Sequence, residues 1–223
     1  IMRFDTIVAN GTVVTASDTL RADVGIANGK VAVIEKSLPI SSAERTLDAS
    51  GRYVLPGGVD VHTHLDMPLG PISSSDDFET GSRAAAFGGT TTVIDFATQS
   101  KGQSLRTAVD LWMQKAASRA VIDYGFHCII TDVGGRCLAE MDELVSEGIT
   151  SFKVFMAYPA TLMLSDADIF KVLRASSKNG ALVCVHAENG GVIDVLVQQA
   201  LADGRTAPKY HALTRPTTAE AEA

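Results

Sequence analysis

The pattern with the most chemical content is Asp60-Val61-His62-Thr63-His64. Alternate side chains leave a strand on the same side, so imidazoles spaced i, i+2 can converge on one cation at the strand's end. Two polar residues leaving a strand account for that motif equally well when it stands alone. His186 closes a second apolar run that starts at Val183. A lone histidine there is ordinarily structural, whereas a third imidazole at the same end of a sheet is a candidate ligand. Lys153 stands inside the otherwise apolar stretch Phe152–Met156. An ammonium is costly to bury there, so its pKa should fall. The side chain either snorkels to the mouth of the sheet or reacts. A neutral amine takes up CO2 to form a carbamate, an anion whose two oxygens can bridge two metal ions. His127 reads as a core histidine in mid-strand and His211 as a surface or loop residue.

These residues need a scaffold that brings several strand ends together. Residues 4–36 read as short strands. The pairs Asn10-Gly11 and Asn28-Gly29 each lie between β-rich runs, and each is expected to close a hairpin through a type I′ turn. This N-terminal stretch, taken as 1–51, is expected to be part of a small β-sandwich domain. From residue 52 to 223 β-branched runs alternate with helical patterns. Strands are expected at Val59–His62, Thr92–Ala97, Gly125–Ile130, Thr150–Phe155 and Leu182–Ala187. Apolar stripes at helical spacing lie between and after them: Leu105, Ala108, Val109, Trp112 and Ala116; then Met141, Leu144 and Val145; then Ile169, Val172 and Leu173. Val192, Val195 and Leu196 continue the alternation. Asp76 with Glu79, Ser165 with Asp168 and Thr217 with Glu220 are expected helix starts of the capping-box kind.

Strand followed by helix implies parallel strands with crossovers. The strands recur at about 30 residues, close to the ~31 per unit of an eightfold α/β barrel. An open doubly wound sheet would fit the alternation too. The histidines and the lysine decide for the barrel, because they fall at its C-terminal mouth. The fold class expected is therefore α/β, a (β/α)8 TIM-like barrel present here as about five βα units. Five units leave two unpaired apolar edges, and the chain stops one turn into a helix. The expectation is an N-terminal part of a longer protein, inactive alone. Met2 is the expected natural start, preceded by Ile1.

Composition narrows the function classes. The 19 basic and 26 acidic residues give a net charge of −7, which argues against a nucleic-acid partner. No apolar run approaches a membrane span or a signal peptide. Three cysteines without CxxC spacing suit a reducing, cytoplasmic setting. GxGxxG, P-loop, GxSxG and HExxH motifs are all missing, which removes the usual nucleotide, serine-hydrolase and zincin readings.

Five segments in register carry a more specific signal: GGVDVHTHLDMP from Gly57, SDDFETG from Ser75, GGTTTVIDF from Gly88, GITSFKVFMAY from Gly148 and VHAENG from Val185. Together they resemble the dihydropyrimidinase/hydantoinase branch of the amidohydrolase superfamily. The resemblance runs from about residue 4 to the end. It implies two divalent metal ions, zinc being expected, with His62 and His64 on one, His186 on the other, and Lys153 as the carboxylated bridging ligand. A hydroxide shared by the two metals would attack the carbonyl of a cyclic amide, a dihydropyrimidine or 5-substituted hydantoin, giving an N-carbamoyl amino acid. Tyr158 matches the family tyrosine that donates to the oxyanion, and is the expected catalytic side chain. Met67, Leu69, Phe155 and Leu162 fall where the family surrounds the ring substituent, although ordinary packing explains them nearly as well. A further histidine and a proton-shuttling aspartate are expected beyond residue 223. The resemblance also implies a homo-oligomer, a tetramer by analogy, a small-molecule substrate, and no nucleic-acid or membrane partner. Two alternatives stay open: an allantoinase-like ring hydrolase, and a non-catalytic scaffold. The presence of all four ligand types argues against the scaffold.

Overall fold

The computed structural model describes residues 3–223; Ile1 and Met2, and with them the expected start, lie outside the described residues. It divides into two compact units, Ile1–Gly57 and Gly58–Ala223.

The first unit is one five-stranded mixed sheet. Its strands are β1 (Phe4–Val14), β2 (Thr19–Ala27), β3 (Lys30–Glu35), β4 (Ala43–Asp48) and β5 (Tyr53–Val54). The order is β3-β2-β1-β4, with β5 also on β1. Asn28 and Gly29 both take positive φ between β2 and β3, as an I′ turn requires. Asn10-Gly11 does not turn the chain, which corrects the first hairpin. There β1 runs straight through, with Asn10 at φ 63° and the β1–β2 register shifting between Val8 and Gly11. The cause is non-local: Asn10 N–H donates to Asp23 Oδ1 at 2.7 Å, and β1 pairs in parallel with β4 before the bulge and β5 after it. The same Asn-Gly dipeptide therefore makes a bulge in one place and a hairpin in the other.

The second unit places five parallel strands in chain order. They are β6 (Gly58–Thr63), β9 (Thr90–Thr98), β10 (Asp123–Ile129), β11 (Ser151–Phe155) and β12 (Leu182–His186), lying β12-β11-β10-β9-β6. A two-stranded hairpin, β7 (Pro68–Leu69) with β8 (Ile72–Ser73), follows β6. The helices are α1 (Phe78–Phe87), α2 (Leu105–Ala116), α3 (Cys137–Ser146), α4 (Asp166–Asn179), α5 (Gly190–Ala202), α6 (Lys209–Leu213) and α7 (Thr217–Glu222). Strands that neighbour one another in chain order build half of a barrel wall, whereas a doubly wound sheet would reverse direction at its middle.

Period-2 alternation sorts each strand into two faces. Phe126, Cys128, Phe152 and Val154 join Trp112, Met141, Leu144 and Val172 in the core between sheet and helices. The residues between them in sequence, His127, Ile129, Lys153 and Phe155, are also buried and face the other way. The outer strands β6 and β12 both leave apolar residues exposed, among them Val59, Val61 and Leu182.

Three local expectations are corrected. Helix α1 is capped by Asp77, not Asp76, and its box partner is Thr80, whose backbone N–H donates to Asp77 Oδ1 at 2.9 Å. Helix α7 has Pro216 as its cap and no side-chain capping bond, so Thr217 and Glu220 form no box. In α5 Val192 and Val195 are exposed; the buried positions are Gly190 and Ile193. Ser165 does cap α4, accepting from Asp168 N–H.

Candidate metal centre

The floor of the site is apolar. Phe96 on β9, Ile129 on β10 and Phe155 on β11 form a buried cluster against which Leu162 packs. Two imidazole groups stand on its ends. At one end His62 and His64 meet edge-on, ring centroids 5.2 Å apart, and both lie on Phe96, at 4.6 and 5.0 Å. At the other end His186 stacks on Phe155 at 5.4 Å, with the Tyr158 ring 5.2 Å away. Lys153, only 8 % exposed, carries its Nζ 5.1 Å from the Phe155 centroid. Met67 is half-buried and Leu69 lies in the exposed hairpin; neither packs on that floor. His211 is exposed on α6.

The electrostatics suit cation binding. Partial burial pushes the His64 pKa down; His62 and Lys153 push the same way, while Asp95 opposes them. His64 therefore favours the neutral imidazole that a metal needs. Burial lowers the Lys153 ammonium too, with Cys184 the one group opposing it and no carboxylate among the described residues acting on it. Such a lysine leans toward the free amine, the form that reacts with CO2. His186 Nε2 is bonded to Glu188 Oε2 at 2.6 Å, which leaves Nδ1 as the ring nitrogen open to a cation.

Among the described residues, no three His, Cys, Asp or Glu side chains come together closely enough to hold a metal ion. In kind, the donors fit a divalent cation: imidazoles, one of them held toward neutrality, and an amine with no ion-pair partner among the described residues. In number they fall short of a closed coordination sphere.

Sequence reasoning passed over three residues that build this mouth. Asp95 is fully buried and accepts four hydrogen bonds: Thr63 Oγ1 and Leu65 N–H reach Oδ2, at 2.9 and 2.7 Å, while Phe96 N–H and Trp112 Nε1–H reach Oδ1. It thereby ties down both neighbours of His64. Phe96 is the platform for both imidazoles, and Glu188 is the partner of His186. Of these, Asp95 had a local signal, a carboxylate in an apolar strand. The Tyr158 loop is held as well. Tyr158 has φ 62°, and its carbonyl accepts from the N–H groups of Thr161, Leu162 and Met163. Lys101 Nζ donates to Ala160 O at 3.0 Å in the same loop.

Comparison with known proteins identifies the family. The model of the amidohydrolase family matches residues 53–212. A D-hydantoinase of Streptomyces coelicolor is 52% identical over 222 residues, covering 98% of this chain and 48% of the relative. One from Geobacillus stearothermophilus is 53% identical, covering 97% and 46%. The crystal structure of dihydropyrimidinase from Brevibacillus agri superposes with a TM-score of 0.94 at 54% identity, over 98% of this chain and 47% of that one. The chain thus spans about half the length of the curated relatives it matches.

Proposed function

The chain belongs to the amidohydrolase family, and on that premise we propose that its protein opens a cyclic amide ring by hydrolysis. The substrate is a dihydropyrimidine or a 5-substituted hydantoin, and the product an N-carbamoyl amino acid. Support comes from the D-hydantoinase and dihydropyrimidinase relatives, which match nearly the whole of this chain. The observation that carries the reading is the position of Lys153. A buried amine lies on β11, between the strand end bearing His186 and the one bearing His62 and His64.

In this reading His62 and His64 hold one divalent ion, His186 the other, and a carbamate on Lys153 bridges them. The ions, zinc by analogy, would supply Lewis acidity and a water acidic enough to attack near neutral pH. The carbamate forms from the free amine and CO2 with loss of one proton, so the burial that lowers the Lys153 pKa favours it. The Tyr158 hydroxyl donates to the carbonyl oxygen as negative charge develops there. Phe155 and Leu162 offer the ring substituent an apolar wall, with Met67 and Leu69 closing over it from the loop after β6.

The other expectations belong to the same proposal. Val31, Ile34 and Leu47 are exposed on the N-terminal sheet, which supports one layer of a sandwich. No helix among the described residues is long and apolar enough to cross a membrane. A cytoplasmic homotetramer acting on a small molecule remains the assembly we propose.

The test is a ring-opening assay of the full-length protein with dihydrouracil and a 5-monosubstituted hydantoin, supplied with zinc and bicarbonate. We expect N-carbamoyl product from at least one substrate. A protein that holds its metals yet opens neither ring overturns the cyclic-amide assignment. One that purifies without stoichiometric metal overturns the enzyme reading in favour of a scaffold.

A further inference from the structure

The strand that presents His62 and His64 leaves its ladder where they lie. Asp60 and Thr63 of β6 stand opposite Val93 and Asp95 of β9, so β6 carries one extra residue across this stretch. A bulge of this kind re-aims side chains but deprives the backbone of regular partners. β6 is also an outer strand, with no further strand paired to it among the described residues. Asp60 Oδ1 holds residue 62, accepting from its N–H at 3.1 Å; something else must hold residue 61.

His127 does so. It sits on β10, is 8 % exposed, and reaches past β9 to the Val61 carbonyl, Nε2···O 2.9 Å. A carbonyl only accepts, so Nε2 carries a proton. On the other side of the ring, Nδ1 lies 2.5 Å from the Ser151 hydroxyl, which in the neutral tautomer donates to it. The His127 ring also packs 4.7 Å from Phe96, the platform under both imidazoles. One side chain therefore joins the bulge before His62 to the first residue of the strand that carries Lys153.

We infer that His127 is a positioning residue: through Val61 it fixes the aim of His62 and His64, and through Ser151 it fixes their register against Lys153. The inference rests on reading His62 and His64 as metal ligands. Groups that orient ligands from behind typically change metal affinity by about 10–100-fold when removed.

The experiment is a cobalt(II) titration of the metal-free full-length protein, followed by its visible absorption, with melting temperature measured alongside. We expect His127→Leu, of similar volume but without a donor, to fold and to bind cobalt(II) at least about tenfold more weakly. His127→Gln, whose amide N–H can still reach Val61, should recover to within about threefold of wild type. A folded His127→Leu protein that binds as wild type does overturns the inference, and so does a His127→Gln protein as weak as the Leu variant. Should His127→Leu fail to fold, Ser151→Ala decides. It keeps the ring but releases its tautomer, and cobalt(II) binding should weaken by about threefold or more; unchanged affinity overturns the inference. His62→Ala separates the two readings. If it keeps full cobalt(II) affinity, the ligand assignment itself fails, whereas loss there with none in His127→Leu refutes the positioning role alone.

Discussion

The indole N–H of Trp112 donates to Asp95 Oδ1 at 3.0 Å, joining a helix to the strand that carries the site's aromatic platform. Both residues are buried, and the second carboxylate oxygen holds Thr63 and Leu65 on either side of His64. A buried carboxylate surrounded by four donors cannot be replaced by a carboxamide without turning an N–H2 toward some of them. Asp95→Asn should cost about 2–3 kcal/mol in denaturant unfolding. Trp112 is the only tryptophan in these 223 residues, so fluorescence of this chain should report the altered contact in the folded state. Unchanged stability would show that the four bonds do not govern this corner.

Asp95 also marks how far the amino-acid sequence could be read. A charge inside an apolar strand was legible at Lys153, and Asp95 in Thr90–Thr98 carries the same signal. Three of its four partners, however, lie 17 to 32 positions away, where no local pattern points. The strands were legible as β-branched runs, and the α2 stripe because period and burial agree along it; every residue of that stripe is buried. The α5 stripe fails because burial there is decided by a close approach at Gly190 rather than by the apolar face. Asn10-Gly11 and Asn28-Gly29 look alike locally, and only the Asp23 carboxylate and the neighbours of β1 tell them apart. The imidazoles were legible as a motif, while Phe96, His127 and Glu188, which aim them, became visible only in three dimensions.

Lys153 should be indispensable to the metal complement. Lys153→Ala in the full-length protein removes the group proposed to join the two ions, and neither the His62/His64 pair nor His186 alone offers more than two neutral donors. Elemental analysis after metal loading should fall from two ions per chain to a small fraction. In parallel, protein equilibrated with 13C-bicarbonate should show a carbamate carbon in wild type and none in the variant. Unaltered metal content would remove the bridging role.

Gly190 opens α5 against the loop that carries Tyr158. A Cβ there would lie 2.8 Å from the Met156 carbonyl oxygen and 3.1 Å from Ala157 Cα, both backbone atoms that cannot swing aside. Gly190→Ala should therefore cost about 1–3 kcal/mol and raise KM through displacement of the Tyr158 loop. At the neighbouring Gly191 the nearest atom is 3.6 Å away, so Gly191→Ala should be neutral or gain up to about 1 kcal/mol from helix propensity. Thermal melts of the two variants provide the contrast; equal effects would show that the close approach is unimportant.

The acid side of the stability profile should include a contribution from Asp77. Its carboxylate is held below the ordinary 3.8 first by the Thr80 backbone N–H, with Arg119, the Thr80 hydroxyl and the Glu79 N–H adding to the effect and burial opposing it. The Arg119 guanidinium is 2.8 Å away. A folded-state pKa below the unfolded one means that the unfolded chain binds more protons between the two values, so stability rises with pH there. The stabilisation is thus complete above about pH 4 and is lost as pH falls through the lowered folded value. Asp77→Asn keeps an N-cap acceptor but has no charge to titrate. Melting temperatures of wild type and variant, taken from about pH 6 down to about pH 3, should differ most at the upper end and draw closer toward the lower. A gap that stays constant across that range would mean that the charge of Asp77 contributes nothing beyond its cap.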